Sequence, residues 1–103
     1  MSKRIKILLV KPNEAPQLTS VENDIFSLQE VVGGSIECIE LSDANVVLIC
    51  NEEGKFNGSS PNRLLEGEDL IYGTFFICGL SKNGDYISIS NKMADKYKEE
   101  FRC

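Results

Sequence analysis

Two cations, Lys55 and Arg63, stand among twelve anions across residues 12–81. A lysine supplies a mobile point charge, and an arginine supplies a planar fork that grips phosphate or carboxylate through two parallel hydrogen bonds. Around them the chain gathers neutral donors, Asn51, Asn62 and Thr74. It also gathers Gly54, Gly58 and Gly73, which let backbone N–H groups approach a ligand closely. These residue types are the constituents of a pocket for a small anionic ligand, with nucleotide-derived molecules as one class. Each has a plain structural role too: the glycines as turns or bulges, and Lys55 and Arg63 as partners of Glu52, Glu53 or Glu66.

Catalytic chemistry is much harder to assemble from this chain. There is no His among the 103 residues, which removes the usual general base near neutral pH, the Ser-His and Cys-His nucleophile pairs and the commonest metal ligand. Glu52 and Glu53 are consecutive, so in an extended segment they point to opposite sides and form no acid/base pair. Lys55 could activate Cys50, but Cys50 ends an apolar run and reads as a core-facing thiol. The glycines at 54 and 58 lack the Lys-Ser/Thr ending of a phosphate-binding loop. The expectation is a protein that is not an enzyme and carries no cofactor and no metal.

The four cysteines, Cys38, Cys50, Cys78 and Cys103, contain no C-x-x-C, and the first three sit in apolar runs as small core residues. The formal charge of −5 is unevenly spread: four cations and no anion in residues 1–11, and five cations against four anions in residues 82–103. That short N-terminal cluster is no basic stripe, so direct nucleic-acid binding is not expected. The longest apolar run, Leu70 to Leu80, covers eleven residues and is interrupted by Gly73, Thr74 and Gly79. A membrane span needs roughly twice that length. With no signal-peptide pattern after Ser2-Lys3-Arg4, the reading is a cytoplasmic protein with free thiols.

The elements that must position these residues follow from hydrophobic period. Ile5, Ile7 and Leu9 make a first strand, Lys11 to Pro16 a turn, and Gln17 to Val21 a second strand completing a hairpin. Asn23 is placed to cap a helix whose Ile25, Leu28 and Val32 share one face, with Gly33-Gly34 as its stop. Ser35 to Leu41 and Asn45 to Cys50 read as adjacent antiparallel strands. Val46 to Cys50 and Leu70 to Leu80 are nearly all apolar, as strands covered on both faces are. Asn83-Gly84 marks a hairpin returning through Tyr86 to Ile89, and Ser90 caps a last helix with Ala94, Tyr97 and Phe101 as its stripe. The expected fold is a single α+β domain over residues 1–103. It has an antiparallel or mixed sheet of five or six strands and two packed helices, in the order ββαββ(β)βα. Residues 51–69 show neither period and form a long ordered loop, far beyond the usual connection length. Ile7, Leu9, Leu28, Val32, Val47, Ile49, Phe75, Ile77, Ile89 and Tyr97 are the expected core.

The segments Leu28-Gln29 through Gly33-Gly34, Asn51-Glu52-Glu53-Gly54-Lys55, Asn57-Gly58, Pro61-Asn62-Arg63 and Gly73-Thr74-Phe75-Phe76, in that order, cover nearly the whole chain. They resemble a family of small domains of unknown function found mainly in bacteriophages and conjugative elements of Gram-positive bacteria. At Ser59-Ser60 the chain is more polar than the apolar residue usual in that family. The resemblance implies an accessory, counter-defence role in a host bacterial cell, and it marks Asn51, Gly54, Lys55, Asn62, Arg63, Gly73 and Thr74 as the matching positions.

Two functional classes remain. One is a binder of a small anionic ligand through residues 51–74. The other is an inhibitor of a host protein acting through an acidic face that includes Glu37, Glu40, Asp43, Glu52, Glu53, Glu66, Glu68 and Asp69. A charge of −5 is modest for imitating a nucleic-acid duplex, so ordinary partner binding ranks above mimicry. Tyr97 and Phe101 fit either the inside of a monomer or a two-fold interface between copies.

Overall fold

A computed structural model describes residues 3–67 and 69–102. Glu68 and Cys103 lie outside the described residues. The elements are β1 (Arg4–Val10), β2 (Gln17–Glu22), α1 (Ile25–Val32), β3 (Ile36–Glu40), β4 (Val46–Asn51), β5 (Pro61–Leu65), β6 (Asp69–Tyr72), β7 (Phe75–Leu80), β8 (Tyr86–Ile87) and α2 (Asn91–Glu100). The main sheet is antiparallel in the order β2-β1-β7-β4-β3, with β8 also on β7, and β5-β6 form a separate hairpin. This is the α+β order read from the sequence.

Each face of the sheet has its own apolar cluster, because alternate residues of a strand point to opposite faces. On one face α1 lays Leu28 and Val32 over Ile5, Ile7, Val47, Ile49, Phe76 and Cys78. On the other, α2 contributes Ala94 and Tyr97, its C-cap contributes Phe101, and the β5-β6 hairpin contributes Leu65 and Ile71, over Leu8, Val10, Leu48, Phe75 and Ile77. Every residue of β4 is buried, and β7 is buried from Phe75 to Gly79, as uninterrupted apolar strands require. Nine of the ten expected core residues are buried, while Leu9 is half-buried at the margin of the α1 layer.

Four local expectations change. The cap of α1 is Asp24, whose Oδ1 accepts from the Ser27 N–H at 2.8 Å; Asn23 instead donates its side-chain N–H to the Tyr86 carbonyl at 2.9 Å. The run Leu70 to Leu80 is two strands, since Gly73 adopts φ +78, a left-handed turn that hands the chain from hairpin to sheet. The long loop holds a strand, β5, paired to β6 through Arg63↔Ile71 and Leu65↔Asp69. Its period was hidden because a two-stranded hairpin buries only Leu65 and Ile71. Cys38 is exposed on edge strand β3, whereas Cys50 and Cys78 are buried.

A polar knot ties α2 to the β3-β4 turn: the Tyr97 hydroxyl donates to Asp43 Oδ2 at 2.7 Å, and Lys96 pairs with the same oxygen. The Lys96 and Tyr97 hydrogen bonds hold the Asp43 carboxyl below its ordinary 3.8. The folded state therefore binds that proton less readily than the unfolded chain does. The stabilisation is fully present above the unfolded value and disappears as pH falls through the folded one. Asp43→Asn is expected to lower the melting temperature at neutral pH, with the gap to the unsubstituted protein closing as pH drops below 3.8. Parallel thermal scans across acid pH check this; a gap independent of pH would contradict it.

Candidate functional site

The seven positions marked by the sequence divide into two groups. Asn62 and Arg63 on β5, with Gly73, form a structural clasp. The Asn62 amide donates to the Val10 carbonyl at 2.9 Å and to the Gly73 carbonyl at 2.8 Å, locking the hairpin to the end of β1. Arg63 donates from Nε to the Phe101 carbonyl at 2.7 Å, from one terminal nitrogen to Asn62 Oδ1 at 2.7 Å, and from the other to the Glu14 carbonyl at 2.6 Å. Among the described residues its partners are thus oxygens other than the Glu52, Glu53 and Glu66 carboxylates considered from sequence. Thr74 is half-buried on the link between β6 and β7.

Asn51, Gly54 and Lys55 belong to the second group, beside a cleft of about 380 Å³ between β3, the end of β4, the following loop and β6. Asn51 is the one buried polar residue among those described, and both ends of its amide are engaged. It donates to the Val32 carbonyl at 3.2 Å and accepts the Glu53 N–H at 2.7 Å. That pairing fastens the end of α1 to the start of the loop. Gly54 packs against β6, where an added Cβ would come within 2.7 Å of the Tyr72 carbonyl oxygen. Only a residue without a side chain allows so close an approach. Backbone bonds from Phe56 and Asn57 to the Glu53 carbonyl coil the loop so that Lys55 and Phe56 face outward, Phe56 with 83% of its surface exposed.

The charges lining the cleft are Glu37, Glu52 and Asp69 against Lys55, so its field is net negative. Apolar contact is offered by Ile39, Phe56 and Leu70, of which the last two are exposed. At the floor, the Cys50 thiol points to Glu37 Oε1 at 3.9 Å. Burial, reinforced by the Glu37 charge, pushes that thiol up to about 11, so it stays protonated near neutral pH. Burial likewise raises Cys78 to about 12. Of the acidic residues considered for a partner face, Glu37, Glu52 and Asp69 line the cleft, and Glu53 is exposed on the loop. Glu66 sits at the hairpin turn, where it accepts the Ser42 N–H at 3.0 Å. The sequence had no signal for Ile39 or Leu70 as cleft residues, since both read as ordinary strand positions. Phe56, a large apolar residue between Lys55 and Asn57-Gly58, was visible as an aromatic in a turn-rich stretch.

Fold and cleft together define a small α+β domain with helices on opposite faces of an antiparallel sheet and an acidic, partly apolar groove along one border. The chain belongs to the family described as a domain of unknown function, DUF3846, whose model matches residues 5–102. No curated protein and no solved structure matches it. Among the described residues no helix is long and apolar enough to cross a membrane, and no group of three or more Cys, Asp or Glu is placed to hold a metal ion.

Proposed function

We propose that this protein is a non-enzymatic accessory domain of a phage or mobile element, with a counter-defence role, that binds a basic segment of a host protein in the cleft beside β3 and β6. The observation that carries this reading is the lining itself: three carboxylates to one ammonium, bordered by exposed Phe56 and Leu70. A water-exposed apolar pair within an acidic field favours an amphipathic cationic partner, with the charges steering encounter and the apolar groups holding the complex. The accessory and counter-defence part rests on the setting in mobile elements that the sequence resemblance implies. A small anionic ligand, the other reading of residues 51–74, would find Lys55 as its one cation among the described lining residues, because Arg63 donates to Phe101, Glu14 and Asn62.

The test is a charge reversal at the lining. Glu52→Lys combined with Asp69→Lys alters exposed side chains and should leave folding stability within about 0.5 kcal/mol. Affinity capture from bacteria carrying the element, followed by association kinetics with the purified partner, is expected to show slower binding by the variant and loss of its salt sensitivity. Equal capture and equal salt dependence would remove the cleft from the interaction.

A further inference from the structure

The two edges of the main sheet are not equivalent. In an antiparallel pair, residues alternate between those that bond to the neighbouring strand and those whose N–H and C=O point away from it. On β2 the parity is set by the Asn23 N–H bonding to the Lys3 carbonyl, within a register that pairs Arg4 with Glu22. The outward-facing positions are therefore Leu18, Ser20 and Glu22. Ser20 is capped: an Arg4 terminal nitrogen donates to its carbonyl at 2.9 Å, and the same guanidinium contacts its hydroxyl. A cationic side chain folded over a free carbonyl is a standard way to blunt a sheet edge.

On β3 the parity follows from Leu41 N–H bonding to Val46 and Glu52 N–H bonding to Ser35. With Cys38 opposite Ile49, the outward groups belong to Ile36, Cys38 and Glu40. The strand is the terminal one of its sheet, and Glu37, Cys38 and Glu40 are all exposed. Among the described hydrogen bonds, none from a side chain reaches these three backbone positions. Each face of this border carries a carboxylate, Glu37 on the cleft side beside Ile39 and Glu40 on the α1 side.

We propose that β3 is a strand-addition site, at which an extended, Lys- or Arg-bearing segment of a partner protein pairs with the outward groups of Ile36, Cys38 and Glu40. This deepens the partner-binding reading and rests on it. An added strand supplies main-chain hydrogen bonds for affinity, while alternate side chains select the partner. Those on one side enter the cleft beside Glu37 and Asp69, and those on the other meet Glu40. A second copy of this chain is the poorer occupant, because antiparallel pairing of two β3 strands gathers the Glu37 and Glu40 carboxylates of both copies along one seam.

The experiment is amide hydrogen exchange on the full chain, using as probe a short capped peptide of alternating Lys and Val at millimolar concentration. A version N-methylated at alternate amides and a Glu-Val counterpart are the controls. The expected result is exchange at Ile36, Cys38 and Glu40 slowed by about tenfold or more with the Lys peptide and unchanged with both controls. Cys38→Pro should abolish that response in a protein that still folds, since the lost N–H faces outward and proline is tolerated on such an edge. The N-methylated probe tests the same main-chain pairing on the unsubstituted protein. Protection confined to Phe56, Leu70 and their neighbours would overturn the strand-addition site while keeping the cleft as the interaction surface. No response anywhere to the basic probe would overturn both. Protection of β3 that grows with protein concentration alone, with an intermolecular Cys38 crosslink, would replace the foreign partner by a second copy.

Discussion

Phe75→Ala is expected to lower unfolding stability by about 3–5 kcal/mol, a large share of the roughly 5–15 kcal/mol available to a domain of this size. Phe75 is fully buried at the start of β7, and its ring meets the Phe101 ring edge-on with centroids 5.4 Å apart. Phe101 in turn stacks on Tyr97 at 5.9 Å. Removing the first ring therefore undercuts the attachment of α2 as well as leaving a cavity that the rigid sheet cannot close. Urea denaturation followed by circular dichroism measures the loss. A change below about 1 kcal/mol would mean that the α2 layer does not depend on this ring, contrary to its burial.

Arg63→Ala is expected to cost about 3 kcal/mol, from loss of charge-assisted hydrogen bonds to the Phe101 and Glu14 carbonyls and to Asn62. These bonds join three parts of the chain that share little else: the β1-β2 turn, the β5-β6 hairpin and the end of α2. Arg63→Lys should recover only a minor part, because one ammonium on a flexible stem cannot reach oxygens placed around a planar fork. Denaturation of both variants, repeated with nucleotides present, checks the clasp and the ligand reading together. An Arg63→Lys protein of full stability whose nucleotide-dependent stabilisation is lost would return Arg63 to a ligand-binding role.

The sheet was legible in the sequence wherever burial imposes a period. β1, β4, β7 and both helices follow from alternation, from unbroken apolar runs and from stripes at spacings of three and four. The β5-β6 hairpin was not legible, because a ribbon resting on a larger layer buries two side chains and its pattern is diluted by Asn62 and Arg63. Those same two residues drew attention as ligand-binding candidates for a sound reason: isolated polar side chains with strong donors in a long connection need partners. Sequence cannot say whether such partners are foreign atoms or carbonyls from distant turns, and Glu14 and Phe101 are 49 and 38 residues away. The Asp24 cap was missed by one position because Asn and Asp are near equals at helix starts, and only the Tyr86 carbonyl decides which of the two is otherwise engaged. Cys38 was misjudged because an edge strand hides one border fewer than its apolar neighbours imply.

Strand order also governs how the protein comes into being on the ribosome. β1 pairs with β2 at once, but its other neighbour, β7, is encoded about seventy residues later, as in the pairing of Leu8 with Ile77. From the end of β2 at Glu22 to the start of β7 at Phe75, at ordinary synthesis rates, the nascent β1-β2 hairpin waits roughly 3–11 s with an apolar border open to every other chain on the polysome. The basic cluster at Lys3, Arg4, Lys6 and Lys11 lies on and beside that strand, where repulsion between identical nascent hairpins is worth most. None of these four charges lines the cleft; Arg4 goes on to cap the Ser20 carbonyl in the folded sheet, whereas Lys3, Lys6 and Lys11 are expected to matter most before β7 docks.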